Sequence, residues 1–258
     1  MTLAVSVGIA FGLALTNGIA QSPDADKHTR PHGNDSGEFQ FVRLAYPIHP
    51  RFGQSGWRGR QMWQTDWPEA EYQLIRGIRR LTRVAVADEG HILGVMDEDL
   101  FDYPWIYAVE VGYWHLDRQE ASRLRDYLLR GGFLVVDDFH GSFEWASFVE
   151  SMQRVFPDRP ILEIPESDES LHVLYDLDQR VQIPSILLLR TGRTYERDGV
   201  TPHWRGIYDD AGRLMVAINF NMDIGDAWEH ADTPAYPENM TALAYRFGIS
   251  YIIYAMTH

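Results

Sequence analysis

"YLLRGGFLVVDDFHGS", residues 127–142, decides the fold of this chain. It begins as the end of an amphipathic helix, breaks at Gly131-Gly132 and continues as a β-branched run that stops at two acids, an aromatic and a histidine. The helix is legible upstream. Asp117 and Glu120 have capping-box spacing, Ala121, Leu124 and Leu128 form one apolar stripe, and Gly131 supplies the stop. Downstream, Ser142 is placed to cap a helix over 142–156, with Trp145, Phe148, Val149 and Met152 on one face and Pro157 ending it. Helix, buried strand and helix in close succession imply a parallel sheet built from right-handed crossovers.

The pattern repeats outward. "EFQFVRLAY" (38–46) alternates as a strand, and a long Gly/Trp/Arg loop follows over 51–67. Asp66, three residues before Glu69 with Pro68 between, then starts a helix whose stripe is Ala70, Leu74, Ile75, Ile78 and Leu81. "WIYAVEV" (105–111) is a buried strand, and "IPSILLLR" (183–190) and "RLMVAINF" (213–220) read as two more, separated by a long insertion. The last segment, 239–256, has helical apolar spacing, although Gly248 and a β-branched tail leave a strand open. The expected fold is α/β, a mostly parallel open sheet with helices on both faces, in a single domain over 39–258.

Composition narrows the function. The formal charge is −14, so no basic field exists to attract phosphates, which excludes nucleic acid and anionic membrane surfaces as partners. The chain has no cysteine, so disulfides, thiolate metal sites and cysteine nucleophiles are all excluded. Residues 1–20 carry an apolar stretch ending in Gly18-Ile19-Ala20, the small-residue pattern of a cleaved signal peptide, although no Lys or Arg precedes it. Residues 21–38, polar and punctuated by Pro and Gly, read as a disordered linker. A periplasmic or secreted protein is expected, with no membrane span after cleavage, or a membrane-anchored one if the segment is retained.

"FVRLAYP", "WQTDWPEAE", the block "DEDLFDYPWIYAVEVGYWHLDRQEASRLRDYLLRGGFLVVDDFHGS", "FPDRPILEIP", "LHVLYDLD" and "GISYIIYAMTH" together resemble the bacterial domain of unknown function 4159. The resemblance covers about 39–258. It implies a flavodoxin-like, class I glutamine-amidotransferase-like fold and no established activity. Amidotransferase chemistry needs a thiol at the strand–helix elbow, and this chain has none.

Three strand ends offer chemistry at one sheet edge, where open α/β sheets bind ligands. Strand 105–111 leads to Trp114 and His115. The strand from 133 leads to Asp137, Asp138 and His140, and strand 214–220 to Asn219, Asn221, Asp223, Asp226, Trp228, Glu229 and His230. The loop 193–206 adds Tyr195, Glu196, His203 and Arg205. Asp138, His140, Asp223 and Glu229 are the catalytic candidates. The ligand-binding set is Asp137, Asp138, His140, Trp114, His203, Arg205, Asn221, Asp223, Asp226, Trp228 and His230. At most one of Asp137 and Asp138 is expected to face a cleft, with the other capping the helix over 142–156 or accepting loop amides.

His140, His203 and His230, with Asp138, Asp223 or Glu229, are ligand types for a divalent metal, but no H-x-x-x-H spacing puts two histidines on one helical face. Trp57, Trp63 and Trp67 are either a sugar-stacking platform or loop packing, and Arg58 and Arg60 either clamp an anion or are solvated. "DDFHGS" lacks the G-x-S-x-G turn that exposes a nucleophilic serine. Three functions follow. The first is an exported ligand-binding or accessory module taking a small molecule or saccharide. The second is a carboxylate- or metal-dependent hydrolase of saccharide or envelope substrates, and the third a protein–protein module of an envelope assembly.

Overall fold

A computed structural model describes residues 38–53, 61–178 and 180–258. These all lie in one unit, His32–His258. The signal-peptide and linker segments, and Trp57, Arg58 and Arg60, fall outside the described residues.

Five strands run parallel: β1 (Val42–Ala45), β2 (His91–Gly94), β3 (Trp105–Val109), β4 (Phe133–Asp137) and β7 (Leu214–Phe220). An antiparallel margin is added by β6 (His203–Tyr208), which pairs with β7, and by β5 (Leu162–Glu163), which pairs with β6. The spatial order is β2-β1-β3-β4-β7-β6-β5. The chain therefore builds leftward from β1 to β2 and rightward from β3 onward, so its direction of growth reverses between β1 and β3.

Helices cover both faces. On one side α1 (Glu69–Leu81), α5 (Ile224–Glu229) and α6 (Glu238–Thr257) pack over Trp105, Tyr107, Phe133 and Val135. On the other, α2 (Arg118–Leu129) and α3 (Gly141–Val155) pack over Ile106, Ala108, Leu134 and Val136. The central strands β3 and β4 are buried throughout, which is why they read as continuous apolar runs rather than alternating ones. Each fully buried large apolar side chain contributes about 1.5–3 kcal/mol. At α6 the helical reading prevails over the strand. Gly248 is needed there, because a Cβ would lie 2.6 Å from the Trp228 ring.

Four local expectations are corrected. "IPSILLLR" is not a strand. Its centre forms a short helix, α4 (Ile186–Leu189), after the Ser185 hydroxyl accepts the Leu187 amide, a start signal that outweighs the apolar run. "HWRGIY" lies within the supposed insertion yet forms β6, joined to β7 through Asp209–Arg213. Ser142 does not cap α3, because the helix begins one residue earlier and His140 stands in the cap position. The end is tied instead by Glu144, which accepts the His140 amide, by Asn221 (Gly141 amide, 2.8 Å) and by Asp198 (Ser142 amide, 2.9 Å). Finally, Asp66 and Glu69 make no capping box. Pro68 precedes α1 without a side-chain bond, and Asp66 turns inward. The Asp117/Glu120 box of α2 is present as read.

Candidate functional site

Three adjacent parallel strands end in the same unusual way. The residue after β3 (Glu110, φ 52°), the residue after β4 (Asp138, φ 52°) and the residue after β7 (Asn221, φ 64°) are all left-handed, and none is glycine. Asp66, in the loop between β1 and α1, is a fourth (φ 61°). Such conformations cost about 1–3 kcal/mol each and persist where surrounding contacts enforce them. Here those contacts are the hydrogen bonds from the Asp138 amide to the Met222 carbonyl (3.2 Å) and from the Asn221 amide to the Phe139 carbonyl (3.1 Å). They lock the ends of β4 and β7 together.

Beyond these ends the chain assembles acids. One carboxylate oxygen each from Asp66, Asp138 and Asp223 lies within 4.8 Å of the others. Asp137, wholly buried, accepts the Tyr107 hydroxyl (3.0 Å) and the amides of Ile224 (2.8 Å) and Gly225 (3.0 Å) on one oxygen. Among the described residues its other oxygen, Oδ1, is buried without a hydrogen-bond partner, and so is Asp66 Oδ2. Asp223 caps α5 by accepting the Asp226 amide (2.8 Å), while Asp226 accepts the Ile186 amide. The sequence thus folds α5 with its first turn against the end of β4, and the aspartates at 223 and 226 face the acid pair at 137–138.

The electrostatics follow from this crowding. Burial, then the charge of Asp138, pushes Asp137 up to about 8. Burial raises Asp226 to about 7 against the opposing amide bond from Ile186, and Asp138 adds to the rise. Asp66 and Asp223 are both held well above the carboxylate range by burial and by the charge of Asp138. His140 shifts upward as well. Burial disfavours its charged form, but its contact with Asp138 (Nε2 to Oδ1, 3.2 Å) outweighs that and raises it above the ordinary imidazole value.

A second wall lies on the β3 side. Glu110 and Glu196 are raised by burial, with Asp138 acting on both. Arg197 meets Glu144 Oε1 at 2.5 Å and donates to the Tyr113 hydroxyl at 2.6 Å, which ties loop 193–202 over the start of α3. Tyr46, from the end of β1, donates to the Val109 and Glu110 carbonyls (2.6 and 2.9 Å) and closes the gap at the β1/β3 reversal.

The structure therefore brings Asp137, Asp138, His140, Asp223 and Asp226 together. Glu229 and His230 lie at the rim, where with Asp226 they form a second group within 4.8 Å. The remaining candidates stand elsewhere. Trp114 is wholly buried and stacked on Phe148, and Trp228 is core beneath α6. Asn221 is a turn clamp, accepting the Gly141 amide and donating to the Thr201 carbonyl. His203 and Arg205 join Glu163 on the antiparallel margin (2.8 and 2.7 Å), with Arg205 over the Trp145 ring. The sequence does not reveal Asp66, which reads as a helix start, or Glu110, which reads as part of the apolar run 105–111 but follows β3. Nor does it reveal Arg43, whose wholly buried guanidinium pairs with Glu71 and donates to the Trp63 and Thr65 carbonyls, fixing the loop that carries Asp66. A lone Arg in "FVRLA" was the available signal for that anchor.

Open sheet and acid-lined carboxyl edge together define an α/β domain with a candidate site at its strand ends. The chain belongs to the family described as a domain of unknown function, DUF4159, whose model matches residues 41–256. No curated protein matches the chain.

Proposed function

We propose that this domain binds a small ligand rich in hydroxyl or ammonium donors, a saccharide or amino sugar, in the acidic well at the carboxyl edge of β3, β4 and β7. The observation that carries the reading is the surplus of acceptors. Asp137 Oδ1 and Asp66 Oδ2 are buried and unbonded among the described residues, Asp138 and Asp223 stand beside Asp66, and the His140 ring is in direct contact with Asp138. Buried acceptors left without donors are costly, so such a well favours a ligand that supplies donors. Its place supports the same reading, because the parallel strands follow the 2-1-3-4-5 order of flavodoxin-like sheets, which bind ligands outside the strand ends near the switch point. That order also supports an amidotransferase-like scaffold without its nucleophile. Export rests on the apolar pattern of residues 1–20, and fractionation of the expressing cell tests it.

Saturation-transfer NMR of the full chain against a panel of neutral sugars, amino sugars and polyols tests binding. The expected result is transfer to at least one donor-rich ligand, lost in Asp138→Ala. Equal transfer in wild type and variant, or none across the panel, overturns it. A hydrolase is the second reading, favoured by Asp226 at about 7, the range of a general acid. Release of chromophore from aryl glycosides, abolished by Asp226→Asn, would establish it.

A further inference from the structure

We infer that Asp66, Asp138 and Asp223 form a site for one hard divalent cation, of the Mg2+, Mn2+ or Ca2+ class. The inference deepens the binding function proposed above and rests on the same well. Geometry is the first ground. The three oxygens lie within 4.8 Å of one another. Opposite ligands of an ion stand at twice the metal–oxygen distance, about 4.2 Å for Mg2+ and about 4.8 Å for Ca2+. The three carboxylates can therefore contact a single ion with little movement. The donor set is oxygen only, which suits these hard cations.

The second ground is independent of the number of acids. Asp137 is wholly buried, and its Oδ1 has no hydrogen-bond partner. Its Oδ2 accepts the Gly225 amide, so the carboxylate sits against the first turn of α5, directly after Asp223. Asp66 Oδ2, also buried and unbonded, lies against the same glycine, 2.6 Å from where a Cβ of residue 225 would stand. Two unbonded carboxylate oxygens thus belong to acids packed against Gly225, and a cation bound beside it would satisfy such acceptors. Two of the three carboxylates are held as metal ligands are: His140 contacts Asp138 Oδ1 (3.2 Å) and the Asp226 amide donates to Asp223 Oδ1 (2.8 Å).

The test uses the full chain, freed of metal with chelator, and Mn2+ as the probe. Electron paramagnetic resonance titration at pH 7 should show saturable loss of the free Mn2+ signal near one equivalent, with Mg2+ or Ca2+ competing. Asp66→Asn and Asp223→Asn should each weaken binding at least tenfold, whereas Glu89→Gln, an exposed acid, should leave it unchanged. Among the described residues Asp66 makes no side-chain hydrogen bond that its replacement would break, and a melting curve verifies the fold. If a variant fails to fold, wild-type NMR decides, since Mn2+ should broaden the amides of Ile224, Gly225 and Asp138 first. Absence of saturable binding, equal affinity in Asp66→Asn, or broadening centred elsewhere overturns the inference. The sugar titration, repeated on chelator-treated protein, reads the ligand function separately, so sugar binding without Mn2+ binding would sink the cation site alone.

Discussion

Asp137 and Asp138 are consecutive in the chain and divide the work of the strand end between them. Asp137 closes β4 and holds α5 through two amides and the Tyr107 hydroxyl, whereas Asp138, left-handed, turns away to meet His140. One acid fastens the start of α5 and the other joins the group formed with Asp66 and Asp223. Asp138 also acts on Asp66, Glu110, Asp137, Glu196, Asp223 and Asp226, which makes it the electrostatic centre of the group.

Removing the Asp137 carboxylate should destabilise the fold. Asp137→Ala strands two amides and a hydroxyl, at about 1–3 kcal/mol for each group left unsatisfied. Asp137→Asn keeps an acceptor and should lose far less. Urea denaturation at pH 7 measures both. Equal midpoints for Asp137→Ala and wild type would contradict the role assigned to this residue.

Stability should fall as pH rises. Asp137 at about 8 and Asp226 at about 7 keep protons in the folded state that the unfolded chain releases near 4. Their contribution is complete below that value and is lost as pH climbs through 7 to 8. His140, also raised, acts in the same direction above its ordinary value. Each proton of difference is worth about 1.4 kcal/mol per pH unit. Melting temperatures in chelator should therefore decline from pH 5 to 8.5, with a shallower slope in Asp137→Asn. A rising profile would show that these carboxylates are ionised and stabilised in the fold.

Breaking the anchor beneath the Asp66 loop should be costly. Arg43 is wholly buried and pairs with Glu71, so Glu71→Ala leaves its charge uncompensated, at about 3–5 kcal/mol. A two-state unfolding curve shifted by less than about 1 kcal/mol would mean that the Trp63 and Thr65 carbonyls alone satisfy the guanidinium.

What was legible in the sequence is what local chemistry dictates. Strands β3, β4 and β7 are buried on both faces and announce themselves as apolar runs, and the Asp117/Glu120 box marks its helix whatever lies around it. Because parallel strands share an edge, the meeting of Asp138 with Asp223 and Asp226 was also readable. Strand β6 was not. Its Arg205 and Gly206 interrupt the alternation, and it exists because β7 offers a partner across the turn at Asp209–Arg213. Asp66 was misread for a similar reason. Its spacing to Glu69 fits a helix cap, and only the tertiary approach of Gly225 shows that the carboxylate is used elsewhere. His203 lies opposite Phe220 at the end of β7, but Glu163 of the added strand β5 holds it on the margin.

The close packing of Gly225 against Asp66 and Tyr107 gives the sharpest prediction. A Cβ at residue 225 would stand 2.6 Å from both Asp66 Oδ2 and the Tyr107 hydroxyl, well inside van der Waals contact. Neither neighbour yields easily. Tyr107 is wholly buried and donates to Asp137, and Asp66 rides on the loop that Arg43 fixes. Gly225→Ala should therefore cost about 1–3 kcal/mol, the range of an overpacked core. Ordinary helix propensity acts in the opposite direction, since alanine is favoured over glycine inside a helix by about 1 kcal/mol. The sign of the change thus separates the two effects. Destabilisation in urea, accompanied by altered chemical shifts at Asp66 and Asp137, is the expected outcome. A stabilised protein with unchanged shifts would show that the carboxylates do not converge on this glycine.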